Sequence, residues 1–301
     1  MKIFDCTTFF DENLILEVRF NVLNKYVDKF VVAEARYSHS GDKKKLNFDL
    51  KRFNEFKEKI IYVVIENEPD DLIFKKENNE FSEAGKDIRN NSIKRIAFQR
   101  DSLSKGIEEA DDEDFIFYSD NDEIPNLENF DFELNKNKIV MFKQKLFYYK
   151  FNLFCDRVDW HGTKGCKKKN LISFTWLRDL KTKKYPFFRL DTFFSKNKYR
   201  NVKIVEDGGW HFTQLKTAKD IEIKLLNSEI HGEIKSEKIN LKKILGLMER
   251  KTIDYDHKAN SADYKYANEF KLKTVSIDQM PAFLKMNQNK YYQWFDFDNE
   301  K

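Results

Sequence analysis

The first half of the chain alternates short apolar, β-prone runs with segments of helical pattern, and this alternation is the strongest constraint on its fold. The predicted strands cover residues 2–10, 30–33, 60–65 and 114–118, and the predicted helices cover 11–24, 50–57 and 85–109. Asp11 is a candidate N-cap for the first of these helices. Strands that alternate with helices in this way form a mainly parallel sheet covered by helices on both faces. We therefore predict an α/β fold.

The second half of the chain is less regular. Its predicted elements are strands at 139–151, 187–194 and 202–205, a basic and loop-rich stretch at 164–184, a helical, charged region from Thr217 onward and a packing segment at 280–295. No internal repeat or low-complexity linker interrupts the sequence. One continuous domain with a helical tail is the simplest organisation.

Composition indicates a folded protein of nearly balanced charge. Hydrophobic residues make up 41% of the 301 residues, which excludes low-hydrophobicity disorder for most of the chain. The net charge of +4 argues against a protein that coats nucleic acid. The 3 cysteines form no spaced framework, which favours a reducing compartment. No apolar run approaches the roughly 20 residues of a membrane helix, so we expect a soluble, cytoplasmic protein with no transmembrane segment and no nucleic-acid partner.

The end of the fourth predicted strand is the strongest local candidate for a site. The apolar run Phe115–Tyr118 leads directly into the carboxylates of Asp120, Asp122 and Glu123. Ligands of open parallel sheets bind outside the carboxyl ends of the strands, and like charges this close are unfavourable unless a cation compensates them. Alternation along an extended segment places Asp120 and Asp122 on one side, where they suit Mg²⁺ or Mn²⁺. The alternative is an acidic surface turn.

Two further segments carry candidate ligand-binding residues. Paired glycines at 208 and 209 permit close approach of a ligand, and Trp210 and His211 follow with a stacking surface and a candidate metal ligand. The alternative is a tight turn with a core tryptophan. Arg100 falls on the inward stripe of the third predicted helix, where an arginine must pair or face a pocket, and phosphate is a suitable partner. The alternative is an ion pair with a neighbouring aspartate.

Two other functions remain open at this point. A metal-dependent phosphohydrolase would use the same acidic strand end, with Asp120 as its nucleophile, although no corresponding later motif follows. A nucleic-acid-binding module would use Gly162–Gly165, a Gly-x-x-Gly pattern followed by lysines. The chain has neither a G-x-G-x-x-G motif nor a Walker loop, so dinucleotide-binding and P-loop functions lack support.

Several segments together resemble glycosyltransferase family 17, the family of the bisecting N-acetylglucosaminyltransferase. Ser119–Pro125 is similar to the family's Ser-Asp-x-Asp-Glu-Ile-Pro segment, and Gly209–His211 to its Gly-Trp-His segment. Further similar segments are Glu34–Gly41, with Ser38 in place of the family's threonine, Gln99–Asp101 and Met280–Leu284. The similarity extends over nearly the whole chain, and the combination is far more specific than any one motif.

The resemblance implies a GT-A type fold and a metal-dependent, inverting transfer from a UDP-sugar to a glycan hydroxyl. The implied sugar is N-acetylglucosamine. The implied catalytic domain covers residues 1–215, with a nucleotide-binding half at about 1–125 and an acceptor half at about 126–215, and a helical region at 216–301 packs on the same domain. The chain has no membrane anchor like that of the vertebrate members, so we expect a bacterial or viral enzyme of polysaccharide biosynthesis.

The resemblance also implies roles for individual residues. Asp120 and Asp122 would hold Mn²⁺ or Mg²⁺ against the donor diphosphate, with His211 as a further ligand. Glu34 and Arg100 would help to bind the nucleotide. An inverting transfer needs a carboxylate that takes the proton of the acceptor hydroxyl; the candidates for this base are Glu123, Glu206 and Asp207, and Asp207 is preferred because it precedes the Gly-Gly turn.

Overall fold

Strands and helices alternate through the first half of the chain, as predicted, and a mixed sheet continues through the second half. The structure, a computed structural model, describes residues 1–74, 81–182, 185, 189, 192, 195, 197–199, 201–228, 240–259 and 264–297. Its strands are β1 Ile3–Phe9, β2 Lys29–Ala35, β3 Ile60–Ile65, β4 Phe115–Ser119, β5 Glu123–Pro125, β6 Ile139–Tyr148, β7 Leu153–Lys167, β8 Val202–Val205, β9 Gly209–Thr213, β10 Thr252–Ile253, β11 Phe270–Lys271 and β12 Lys273–Thr274. Its α-helices are α1 Asn13–Leu23, α2 Phe81–Asp101, α3 Phe174–Asp179, α4 Ala218–Leu226, α5 Leu241–Glu249 and α6 Ala282–Met286. Short 3-10 helices cover Leu50–Phe56, Ser102–Ile107, Lys168–Asn170, Ile277–Gln279 and Tyr292–Trp294.

The first four strands form the parallel half of the sheet, in the order β3-β2-β1-β4. Side chains of β2 alternate between two hydrophobic cores, with Phe30 and Val32 in one and Val31 and Ala33 in the other. A strand buried on both faces needs apolar residues at successive positions. This explains the successive apolar residues in these strands, such as Phe30–Ala33 in β2. The carboxyl ends of these parallel strands meet at one edge of the sheet.

The second half of the sheet is mixed rather than mainly parallel. From β4 the order continues β7-β6-β9-β5, and β7 is antiparallel to both β4 and β6. β6 is parallel to β8 and β9, whereas β5 is antiparallel to β9. The last of these pairings places Glu123 opposite His211, so the two sequence motifs that suggested a site lie on neighbouring strands.

Two predicted elements differ in type or extent from the structure. The predicted helix 85–109 is α-helical only to Asp101 and continues as a 3-10 helix. The stretch 164–184 is not mainly loop, because it includes the end of β7 and all of α3. The Gly-x-x-Gly pattern at 162–165 therefore lies inside a strand, where a side chain on Gly165 would overlap Phe115 and Phe117. The predicted strand 187–194 falls largely outside the described residues.

The region after Thr213 packs against the sheet. β12 pairs with β7, and Met280, Leu284 and Tyr291 are buried in the same core as α1. The division into a catalytic domain at 1–215 and a helical region at 216–301 stays a prediction. Within the described ranges, no helix has both the length and the apolar character needed to cross a membrane.

Candidate active site

The acidic segment after β4 is a turn, and the turn rather than strand alternation brings Asp120 and Asp122 to the site. The amide of Glu123 donates to the carbonyl of Asp120 at 3.0 Å, which closes the turn before β5 begins. The amide of Phe212 donates to the carbonyl of Asp122 at 2.8 Å and fixes the turn against β9. The expectation of an extended segment was wrong, because the chain reverses here to pair with β9.

Asp120 is held by arginines from two different helices. Arg178 on α3 donates from Nε and Nη2 to Oδ2 at 3.1 and 2.9 Å, and Arg100 on α2 lies 3.5 Å from Oδ1. The Tyr118 hydroxyl also donates to Oδ1, at 2.9 Å. Burial opposes ionisation of Asp120, but Arg178 and Arg100 outweigh it and hold the pKa of this carboxyl well below its ordinary value. Asp120 is therefore an anion bound between guanidinium groups.

Asp122 has a different set of partners. Its Oδ1 lies 3.3 Å from Nε2 of His211, and its Oδ2 lies 3.6 Å from Nζ of Lys224 on α4. Burial would raise the pKa of Asp122, but His211 and Lys224 lower it to about 2. The two aspartates of the motif thus have different partners. Asp120 contacts two guanidinium groups, whereas Asp122 contacts an imidazole and an ammonium group.

Glu12, at the carboxyl end of β1, completes the acidic side of the site. Its Oε2 accepts hydrogen bonds from the amides of Phe10 and Asp11 and from the side chain of Asn121, and its Oε1 lies 3.3 Å from Nζ of Lys224. Burial acts to raise the pKa of Glu12, but cations led by Lys224 lower it to about 2. Lys224 therefore bridges Glu12 and Asp122.

A cavity of about 410 Å³ opens where these groups meet. Its charged and imidazole lining consists of Glu12, His39, Lys44, Arg100, Asp120, Asp122, Arg178, His211 and Lys224. Its aromatic lining includes Phe9, Phe10, Tyr37 and Trp160. Four of the five segments that resemble the family meet at this cavity, although they are widely separated in sequence; the residues that line it are Tyr37 and His39, Gln99 and Arg100, Asp120 and Asp122, and His211. The fifth segment, Met280–Leu284, does not line it.

The predicted nucleotide-binding residues occupy different positions. Arg100 lines the cavity, with its guanidinium against Asp120 and Tyr118. Glu34 is fully buried, and its carboxylate accepts hydrogen bonds from the Tyr62 hydroxyl, from the amides of residues 47 and 48, and from Lys44. Because Lys44 lines the cavity and Glu34 does not, the contact of Glu34 with the site runs through Lys44.

The three predicted base residues differ in burial and in position relative to the cavity. Glu206 and Asp207 are 71% and 85% exposed, pair with Lys143 and Lys145, and lie outside the cavity lining. Glu123 is fully buried; its Oε1 accepts from Trp160 Nε1 at 2.7 Å and its Oε2 from the Asp120 amide at 3.0 Å. Burial raises the pKa of Glu123, against the opposing effect of Arg178. Glu123 therefore positions the acidic turn and the indole of Trp160.

Sequence reasoning missed Glu12, Arg178 and Lys224. Glu12 had a usable signal, because it follows a buried parallel strand just as Asp120 does, and the rule for strand ends applies equally to β1. Arg178 and Lys224 had none, since each is an ordinary basic residue in a short helix of unremarkable pattern. Only the folded chain shows that they face the acidic turn.

The residues present fit a divalent cation held by few protein ligands. Among the described residues, no group of three or more histidine, cysteine, aspartate or glutamate side chains is arranged as a metal site. Mg²⁺ in phosphate-binding enzymes, however, takes one or two carboxylates and completes its shell with substrate phosphates and water. Asp122 supplies one carboxylate, and Nε2 of His211 lies 3.3 Å from its Oδ1 as a further candidate ligand. The buried Nδ1 of the same imidazole has no hydrogen-bond partner within the described part of the chain. Asp120 would first have to release its hydrogen bonds.

Residues 1–245 match the family model of glycosyltransferase family 17. The chain belongs to this family. It is therefore a glycosyltransferase, and its helix-flanked sheet agrees with the GT-A type fold that the resemblance implied. A search of curated proteins found no match.

Two solved structures are similar to this glycosyltransferase over most of their length. One is the crystal structure of HddC from Yersinia pseudotuberculosis, with 12% identity, a TM-score of 0.32, and coverage of 69% of this chain and 92% of that chain. The other is the same protein complexed with GMP-PN, with 11% identity, a TM-score of 0.31, and coverage of 68% and 90%. Similarity at this level says nothing about the substrate of the family 17 chain.

Of the three predicted base residues, only Glu123 is expected to lower activity when it is substituted. Glu123→Gln should lower kcat/KM roughly tenfold or more, because the neutral amide weakens the contacts that position the acidic turn. Glu206→Gln and Asp207→Asn should stay within about twofold of the unsubstituted enzyme, as exposed surface groups usually do. Asparagine also tolerates the φ of 45° at position 207.

The three variants are compared by steady-state transfer and by nucleotide binding. A hundredfold loss of kcat in Asp207→Asn, with nucleotide affinity intact, would contradict this expectation and restore Asp207 as the base.

Proposed function

We propose that this glycosyltransferase is a metal-dependent, inverting enzyme that transfers N-acetylglucosamine from a UDP-sugar to a glycan hydroxyl. The main support for the proposal is that the Asp122–His211 pair and the guanidinium groups of Arg100 and Arg178 line the same cavity. Carboxylate and imidazole ligands beside paired guanidinium groups suit a diphosphate with its cation. Uridine, N-acetylglucosamine and inversion rest on the family resemblance.

The chain's own residues define how the donor would be held. Asp122 and His211 would bind the divalent cation, which supplies charge neutralisation for the leaving diphosphate. Arg178 and Arg100 offer N–H donors to phosphate oxygens, while Asp120 keeps both guanidinium groups oriented toward the cavity. Tyr37 and Trp160 present aromatic faces to the bound substrates.

The phosphohydrolase alternative receives less support from the same geometry. A phospho-aspartate mechanism needs a carboxylate oxygen free to attack phosphorus. Both oxygens of Asp120 accept hydrogen bonds, from Tyr118 on one side and Arg178 on the other. The Gly-x-x-Gly basis for a nucleic-acid-binding module is also absent, because Gly162 and Gly165 lie within β7.

The proposal is tested by calorimetric titration of the purified protein with UDP, GDP and CMP, with and without Mn²⁺. We expect UDP to bind most tightly and only with the metal, and Asp122→Asn to reduce that affinity at least tenfold through loss of one charged ligand. Asp156→Asn, at an exposed aspartate paired with Lys273, is the matched control. Metal-dependent release of UDP from UDP-N-acetylglucosamine only when a glycan acceptor is present would confirm the transfer. Absence of UDP binding under every metal condition would contradict it.

A further inference from the structure

Lys224 reaches the cavity from a helix that lies outside every motif of the resemblance. Its Nζ lies 3.3 Å from Oε1 of Glu12 and 3.6 Å from Oδ2 of Asp122, and its side chain is 28% exposed. It also lines the cavity. The ammonium group is therefore placed between two carboxylates on one side and open space on the other.

The surrounding contacts keep this ammonium in place. Glu12 is fixed by two backbone amides and the Asn121 side chain, so its Oε1 has a defined position. α4 begins with Thr217 as its N-cap, and the preceding Lys216 forms an ion pair with Asp11. The start of α4 is thus tied to the carboxyl end of β1, and Lys224 is anchored rather than a mobile surface lysine.

The ion pairs around the cavity indicate which ligand group Lys224 could contact. Asp120 already has two guanidinium partners, whereas Glu12 and Asp122 share Lys224 as an ion-pair partner. An ammonium group has three N–H donors. Nζ of Lys224 forms ion pairs with the two carboxylates at 3.3 and 3.6 Å, and the side chain also lines the cavity. An anionic oxygen in the cavity is a matching acceptor for this ammonium group.

We propose that Lys224 binds the diphosphate of the donor and stabilises the nucleoside diphosphate as it leaves. The inference rests on the proposed function, because it requires a diphosphate donor. When the bond between the anomeric carbon and the phosphate oxygen breaks, its electron pair stays on that oxygen. The acceptor oxygen forms the new bond to carbon and loses its proton to a base. Lys224 stays protonated throughout and donates to the oxygen that gains charge.

This role is compatible with a cation at the other side of Asp122. Oδ1 faces His211 and Oδ2 faces Lys224, so the two positive groups would use different oxygens of the same carboxylate. Lys224 would therefore act beside the metal and would not replace it.

The test compares binding of UDP and of uridine, which lacks the phosphates, in the presence of Mn²⁺. Lys224→Met should weaken UDP binding roughly tenfold to a hundredfold, the effect of one charge-assisted hydrogen bond, and leave uridine binding unchanged. Lys224→Arg should keep most of the affinity for UDP. Lys219→Met, at an exposed position of the same helix, is the matched control and should bind UDP normally.

A double variant separates ligand binding from a structural role. In Lys224→Met/Glu12→Gln one of the two carboxylates that lose the ammonium group is neutral, and the other, Asp122, keeps His211 as a partner. A lysine that served only to balance the charge of Glu12 would then no longer be needed. We expect UDP binding to remain weak; recovery of affinity would overturn the inference, as would normal UDP binding in Lys224→Met or an equal loss for UDP and uridine. Failure of the unsubstituted enzyme to bind any nucleoside diphosphate would instead refute the proposed function, and this inference with it.

Discussion

Arg178→Ala is expected to lower kcat/KM about a hundredfold and to weaken UDP binding, because this one guanidinium group contacts both Asp120 and Glu123. Arg178 donates twice to Asp120 and lies 3.6 Å from Oε1 of Glu123, with only 20% of its side chain exposed. Loss of a pre-organised donor to a developing negative charge costs roughly two orders of magnitude in comparable sites. The pKa of Asp120 should also rise, since Arg178 is the strongest of the cations that lower it.

Two further variants show whether the loss of activity in Arg178→Ala is specific to the active site. Arg178→Lys keeps the charge but loses the planar two-donor geometry, so we expect it to recover only part of the activity. Arg250→Ala removes an exposed arginine that also makes a two-donor pair, with Glu269, and should change activity and stability little. Steady-state transfer, UDP titration and thermal unfolding are measured for all three. If Arg178→Ala had the same UDP affinity and the same rate of transfer as Arg250→Ala, the assignment of Arg178 to the active site would be wrong.

Gly209→Ala is expected to destabilise the protein by about 3 kcal/mol, the combined cost of overpacking and an unfavourable φ. Gly209 has a φ of 120°, and a Cβ atom there would overlap the carbonyl oxygen of Ile124 and lie 2.7 Å from the amide nitrogen of Asn126. Both neighbours are backbone atoms, one in β5 and one in the residue that follows it, so neither has a rotamer by which to move away. The β5–β9 pairing should separate at this point.

The same substitution should disturb the site, because β5–β9 pairing aligns Glu123 with His211. Metal-dependent UDP binding should fall together with the free energy of unfolding measured in urea. Gly246→Ala is the matched control: its nearest neighbour is the flexible end of Arg250 at 3.0 Å, its φ is not in the positive region, and alanine is favoured in a helix by about 1 kcal/mol. Equal stability of the two variants would show that β9 tolerates a side chain at position 209.

The sequence by itself determined the parallel half of the sheet and the location of the acidic turn. Strands β1 to β4 pack against hydrophobic cores on both faces of the sheet, so each segment contains successive apolar residues that can be recognised without knowledge of its neighbours. The strand-end rule then located Asp120 and Asp122, and the pairing of motifs in the resemblance connected them with His211. These features depend on local pattern or on recurring motifs.

The tertiary structure decided which charges meet. Glu12, Asp122 and Lys224 are distant in sequence. Strand ends mark Glu12 and Asp122, but no local pattern indicates that Lys224 lies between them. Their partnership follows from the register of β5 on β9 and from the attachment of α4 to the end of β1. The same limit explains Asp207, whose position beside a Gly-Gly turn suggested a catalytic base although its side chain is 85% exposed and lies outside the cavity lining. Ion pairs depend on distance in space, and a sequence pattern records only which side of a strand or helix is buried.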